Sequence, residues 1–211
     1  MVSSGMAYPY SKSETIADGA VHVIGLLFAI PASALLMIAA VRNGTMVPTT
    51  AIYVACLLLA FGASAAYHLT PADGLRRVLH RVDHAAIYLK IAGTYTPLVA
   101  TIGTGFAYAV LAFVWALAGL GAVAKLWFAA TDAKWSLWLY LGMGWVAVLL
   151  IWPMWHSLSG LALALIVIGG SIYSAGTWVF AHPGMRFQNA IWHVFVLVAS
   201  ACLFGAVALS V

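Results

Sequence analysis

Apolar residues run along this chain in long unbroken blocks, separated by short polar or helix-breaking stretches. A helix that crosses a membrane needs about 20 mostly apolar residues. Seven blocks reach that length: about Ile16 to Val41, Thr50 to Leu69, Val82 to Ile102, Gly105 to Phe128, Trp135 to Trp152, Ser157 to Val179, and Gln188 to Val211. The breaks at Arg42 to Pro48, Pro71 to Gly74, Gly103 to Gly105, Thr131 to Lys134, Pro153 and His182 to Gly184 carry turn chemistry. The basic stretch after Leu69 reads as a turn. Continuous apolarity speaks against a transmembrane β-barrel, whose strands alternate in polarity. Short connections make neighbours antiparallel. The pattern therefore predicts an all-α fold, an integral membrane bundle of seven transmembrane helices, as a single domain over residues 1–211 without repeats or linkers.

Composition agrees. The chain is 65% hydrophobic and 7% charged, against about 25% charged in soluble domains, which is too little to cover a soluble surface. The net charge of +4 is spread along the chain and does not indicate nucleic-acid binding. Cys56 and Cys202 lie in apolar blocks and read as packing residues. Residues 1–13 lack an apolar core after a basic start, so no cleavable signal peptide is expected. Charge also orients the bundle. Lys12, Arg76, Arg77, Arg81, Lys125, Lys134 and Arg186 fall on the amino-terminal side, and only Arg42 on the other. This bias predicts a cytoplasmic amino terminus. Lys90, two turns into the third span, is expected to snorkel towards that face.

In this topology the intramembrane polar groups gather at one depth. Glu14, Asp18 and His22 begin the first span, Ser64 and His68 end the second, His80, Asp83 and His84 open the third, and Asn189 and His193 open the last. Ionisable residues are costly in hydrocarbon and face the bundle interior or a wet cavity, so one cavity open to the cytoplasm is expected. Ser64 and His68 share a helix face, fit either for interhelical hydrogen bonding or for a common ligand. Asp83 can act as a base or favour the positive end of its helix. Asn189 and His193 stand one turn apart, but an amide is a poor ligand for zinc. The tryptophans from Trp145 to Trp155 read as an interfacial belt.

The stretches Glu14 to Gly25, Ser64 to His68, Arg81 to Pro97 and Asn189 to Leu197, in this order, resemble the haemolysin III family. Those proteins are bacterial relatives of the progestin and adipoQ receptors, in a wider group with the alkaline ceramidases. The resemblance implies seven helices and a zinc site near the cytoplasmic face. It makes His68 and His193 metal ligands, and Ser64 and Asp83 the catalytic partners of a reacting water. Asn189 stands where the wider group has a further histidine ligand. Either His84 or His22 then substitutes, Asn189 binds a different metal through its carbonyl, or the site holds none. The expected activity is metal-dependent hydrolysis of a lipid amide or ester, with membrane lipids as partners. The alternatives are a cytolytic pore and a non-catalytic lipid-sensing regulator.

Overall fold

The computed structural model describes residues 11–70, 73–127, 133–182 and 184–211. The breaks expected at Pro71 and Thr131 and the span end at Phe128 lie outside these residues, as does the side chain of Lys134. The described residues form α1 (Lys12–Asn43), α2 (Val47–Leu69), α3 (Asp73–Ile102), α4 (Gly105–Trp127), α5 (Ala133–Trp145), a 3₁₀ stretch (Val146–Leu150), α6 (Ile151–Ser157), α7 (Gly160–Ala181) and α8 (Gln188–Ala208). Seven helical segments are long and apolar enough to cross a membrane, the fifth being the composite Trp135–Ser157. Among the described residues there is no strand. Cys56 and Cys202 are both free thiols.

Sequential helices pack on one another from α1 to α4, α7 packs along α8, and α8 closes back on α1. α3 is the central post: 61% of its apolar window is buried, against 17% for the composite fifth span. Small residues allow this packing, as in other membrane bundles. A Cβ on Gly93 would lie 2.6 Å from Cys56 Cβ, and one on Gly121 would lie 2.6 Å from the Tyr88 ring. α2 and α4 therefore approach α3 where a side chain would not fit.

Three expectations need correction. The basic stretch Gly74 to Arg81 is not a turn: α3 begins at Asp73, so His80, Asp83 and His84 sit two to three turns inside a helix. Pro153 does not end the fifth span. It lies in the first turn of α6, where its missing N–H costs nothing. Its ring disfavours α-helix before it, and the preceding five residues wind as 3₁₀. The hydroxyl of Tyr95 donates to the carbonyls of Met143 and Gly144, at 2.8 and 2.9 Å. Carbonyls at such a break would otherwise lie unsatisfied in hydrocarbon. Lys90, finally, does not snorkel. Its amine is held laterally by Tyr173 of α7 and Ser200 of α8.

The ends of α1 and α8 are tied together. Ser11 caps α1 and Glu14 completes a capping box with it. The other oxygen of Glu14 accepts the N–H of Phe187 at 2.9 Å. Phe187 precedes α8 in a left-handed conformation, with φ of 58°. That bond sets the two helix starts level, so that Asp18, nearly two turns into α1, faces His193 of α8.

Candidate metal centre

Asp18, His22, His68 and His193 meet between α1, α2 and α8, and one ligand atom from each lies within 4.8 Å of all the others. Asp18 is the hub. His193 Nδ1 donates to Asp18 Oδ1 at 2.7 Å, and His68 Nδ1 stands 2.7 Å from Asp18 Oδ2. His22 Nδ1 donates to the Asp18 backbone carbonyl at 2.8 Å, the i to i−4 bond of a helical histidine. Asp18 and His22 are buried, with 8% and 6% of their surface exposed. The rings pack on one another, with centroids 4.7 Å apart for His22 and His68, 4.3 Å for His22 and His193, and 4.5 Å for His68 and His193.

These bonds settle the tautomers. A carboxylate or carbonyl oxygen only accepts, so each Nδ1 carries its proton, and in the neutral ring Nε2 is then the acceptor. An imidazole whose N–H is fixed by a carboxylate or carbonyl is the usual form of a histidine metal ligand. Three such imidazoles, held by one acid and oriented from three helices, fit a divalent ion of the kind that prefers nitrogen.

The other expected residues surround this group. Ser64, one turn before His68, donates its hydroxyl to His22 Nε2 at 3.2 Å. Asp83 of α3 is buried and within electrostatic range of His68 and His193. Its Oδ2 lies 3.5 Å from His84 Nδ1. His84 points elsewhere: its Nδ1 donates to the His80 carbonyl at 3.0 Å, and it is not one of the four. His22, named as a substitute ligand, is one of the four. Asn189 stands one turn before His193 on α8, partly buried. Tyr67 packs edge-on against both His68 and His80, at 4.6 and 5.1 Å, and links the group to the start of α3.

Asp18 was placed at the right depth by sequence but given no role. The available signal was its position four residues before His22 on one face of an apolar span. Two ionisable groups at that spacing in hydrocarbon ask for a shared purpose.

Seven apolar helices around a group of acid and histidine side chains able to hold a metal ion define an integral multi-pass membrane protein. The chain belongs to the family described as Haemolysin-III related, which matches residues 10–204. It is 36% identical over 201 residues to "Hemolysin-3 homolog" of Bacillus subtilis, covering 94% of each chain. It is 36% identical over 197 residues to "Hemolysin-3" of Bacillus cereus, covering 92% of this chain and 90% of that one. A more distant likeness is to the human "Monocyte to macrophage differentiation factor", 31% identical over 130 residues, covering 61% of this chain and 53% of that protein.

Proposed function

We propose that this protein is a zinc-dependent hydrolase of a lipid amide or ester, set in the bacterial cell membrane with its amino terminus and metal centre on the cytoplasmic side. The observation that carries the reading is the convergence of Asp18, His22, His68 and His193, one ligand atom from each within 4.8 Å of all the others, with the three imidazole rings packed together. His22, His68 and His193 would hold the ion and Asp18 would orient them. The excess of Lys and Arg at this end of the bundle supports the orientation.

A bound divalent ion acidifies water and polarises a carbonyl. The remaining work falls to the chain. Asp83, buried and within electrostatic range of the group, would accept the proton of the attacking water and return it to the departing amine or alcohol as the carbonyl bond breaks. Ser64 donates a hydrogen bond to His22 Nε2. With that nitrogen holding an ion, the hydroxyl would be free to turn to the oxygen on which charge develops. The apolar walls of the bundle hold the acyl chain and exclude bulk water.

The test begins with elemental analysis of protein purified without chelator, beside His193→Ala. Near-stoichiometric zinc in the wild type, lost in the variant, is expected. Loaded protein is then assayed on amide- and ester-linked lipids beside Asp83→Asn, where hydrolysis should vanish while the metal stays. Full activity in Asp83→Asn would remove Asp83 as the base, and no hydrolysis by loaded wild type would remove the enzyme reading. The name of the Bacillus cereus relative, Hemolysin-3, supports a second reading, membrane lysis. Ion flux through purified protein in liposomes is its measurement.

A further inference from the structure

Lys90 is a lysine in the middle of a membrane bundle. Its Nζ donates to Tyr173 Oη and to Ser200 Oγ, both at 2.6 Å. Ser200 is buried, and its hydroxyl donates to the Val196 carbonyl at 2.5 Å. Tyr173 and Ser200 oxygens lie 2.7 Å apart, and with the Ser200 proton spent on Val196 it is Tyr173 that donates. Both hydroxyl protons are therefore committed. The amine carries three donors, two of which are used, and the third has no partner among the described residues. The faces of Phe61 and Tyr173 flank the amine, with centroids 5.0 and 5.2 Å away.

What the cluster lacks is a negative charge. Among the described residues no carboxylate lies within ion-pair distance of Lys90. An ammonium in low dielectric with only neutral oxygens and two ring faces around it has no full counter-charge, which is costly, and an anion offsets that cost. Intramembrane ionisable residues mark substrate or ion sites for the same reason. The backbones of α3 and α7 do not pack along one another, and Lys90 and Tyr173 reach across between them, each only partly buried.

We propose that Lys90, held in place by Tyr173 and Ser200, is an anion subsite inside the membrane that takes the carboxylate of a single-chain lipid. Depth selects the ligand. Ser200 is seven residues beyond His193 on α8, so the subsite lies about 10 Å deeper than the metal group. A phosphate headgroup is heavily hydrated and carries up to two charges, against one cation here. A carboxylic acid crosses the apolar region neutral and ionises beside the ammonium. A fatty carboxylate is also the product of amide or ester hydrolysis. That link to substrate class rests on the hydrolase reading, whereas binding of the anion does not.

The experiment is equilibrium binding of radiolabelled hexadecanoate to the full chain in nanodiscs of zwitterionic lipid, with hexadecanol and hexadecyl phosphate as competitors. Wild type should bind hexadecanoate saturably, at least tenfold tighter than hexadecanol and tighter than hexadecyl phosphate. Lys90→Met should lose that preference, and His193→Ala should keep it. Equal affinity for acid and alcohol in the wild type overturns the proposal, and this holds even if Lys90→Met does not fold. Tighter binding of the phosphate overturns the carboxylate assignment. Unchanged preference in folded Lys90→Met overturns the role of Lys90. Lost hydrolysis with retained binding would dismiss the enzyme and leave the subsite standing.

Discussion

At one end of the bundle a single carboxylate, Asp18, takes protons from two imidazoles and its own carbonyl takes one from a third. About 10 Å deeper, a single amine, Lys90, gives protons to two hydroxyl oxygens. Both clusters obey the same rule, that polar groups in hydrocarbon must be satisfied. They obey it with opposite results. Around Asp18 one acid gathers three imidazoles, with a ligand atom from each of the four residues within 4.8 Å of the others, which suits a cation. Around Lys90 the acceptors are consumed and an N–H is left, which suits an anion. The chemistry that a buried polar cluster gathers thus tells what it is built to receive.

The strongest way to break this contrast is to remove a lone pair from the first cluster and the charge from the second. His193→Ala takes one of three imidazoles and should abolish metal retention through desalting, read by elemental analysis. Lys90→Met should leave metal content at the wild-type level, because nothing joins its cluster to Asp18 by a hydrogen bond. Metal loss in both variants would make the two clusters one cooperative unit, and the contrast would fail.

Asp18→Asn is the next largest effect. The carboxamide keeps the shape but supplies one acceptor oxygen where two are used. Losing a carboxylate that orients ligands typically costs 10- to 100-fold in metal affinity. A drop of that size is expected in competition with a chromogenic chelator. A loss as complete as in His193→Ala would make Asp18 a ligand itself.

The bundle was legible because membrane-span length is a strong constraint: block lengths and breakers alone placed the seven spans close to the helices found. The composite fifth span was less so. Pro153 reads as a stop, and only the tertiary bond from Tyr95 explains how the chain continues through it as 3₁₀ and then α-helix. α3 was started late because Arg76, Arg77 and Arg81 lower local hydropathy without breaking the helix. At the site, the shared depth of Asp18, His22, His68 and His193 could be read from topology. Their mutual distances could not, since the rotation of each helix about its axis is set by packing. Lys90 was assigned to the interface for the same reason. A lysine's reach permits snorkelling, and only the position of Ser200 and Tyr173 shows that the chain turns sideways instead.

The smallest effect has the least obvious sign. Ser64→Ala deletes the hydroxyl that donates to His22 Nε2. In metal-free protein this removes one hydrogen bond, about 0.5–1.5 kcal/mol, and the melting temperature should fall slightly. In loaded protein the same lone pair belongs to the ion, so little is lost there. The free-energy gap between the two states therefore widens, and the metal should bind a few-fold tighter to Ser64→Ala than to wild type, roughly 2- to 12-fold. Hydrolysis should fall in the same variant, because the donor for the developing charge is gone. Chelator competition and a lipid assay on one preparation read both. Tighter metal with weaker hydrolysis separates a hydroxyl that competes with the ion from one that helps to hold it. Weaker metal binding would put Ser64 among the groups that hold the ion, and the division of labour between the three imidazoles and the serine would have to be redrawn.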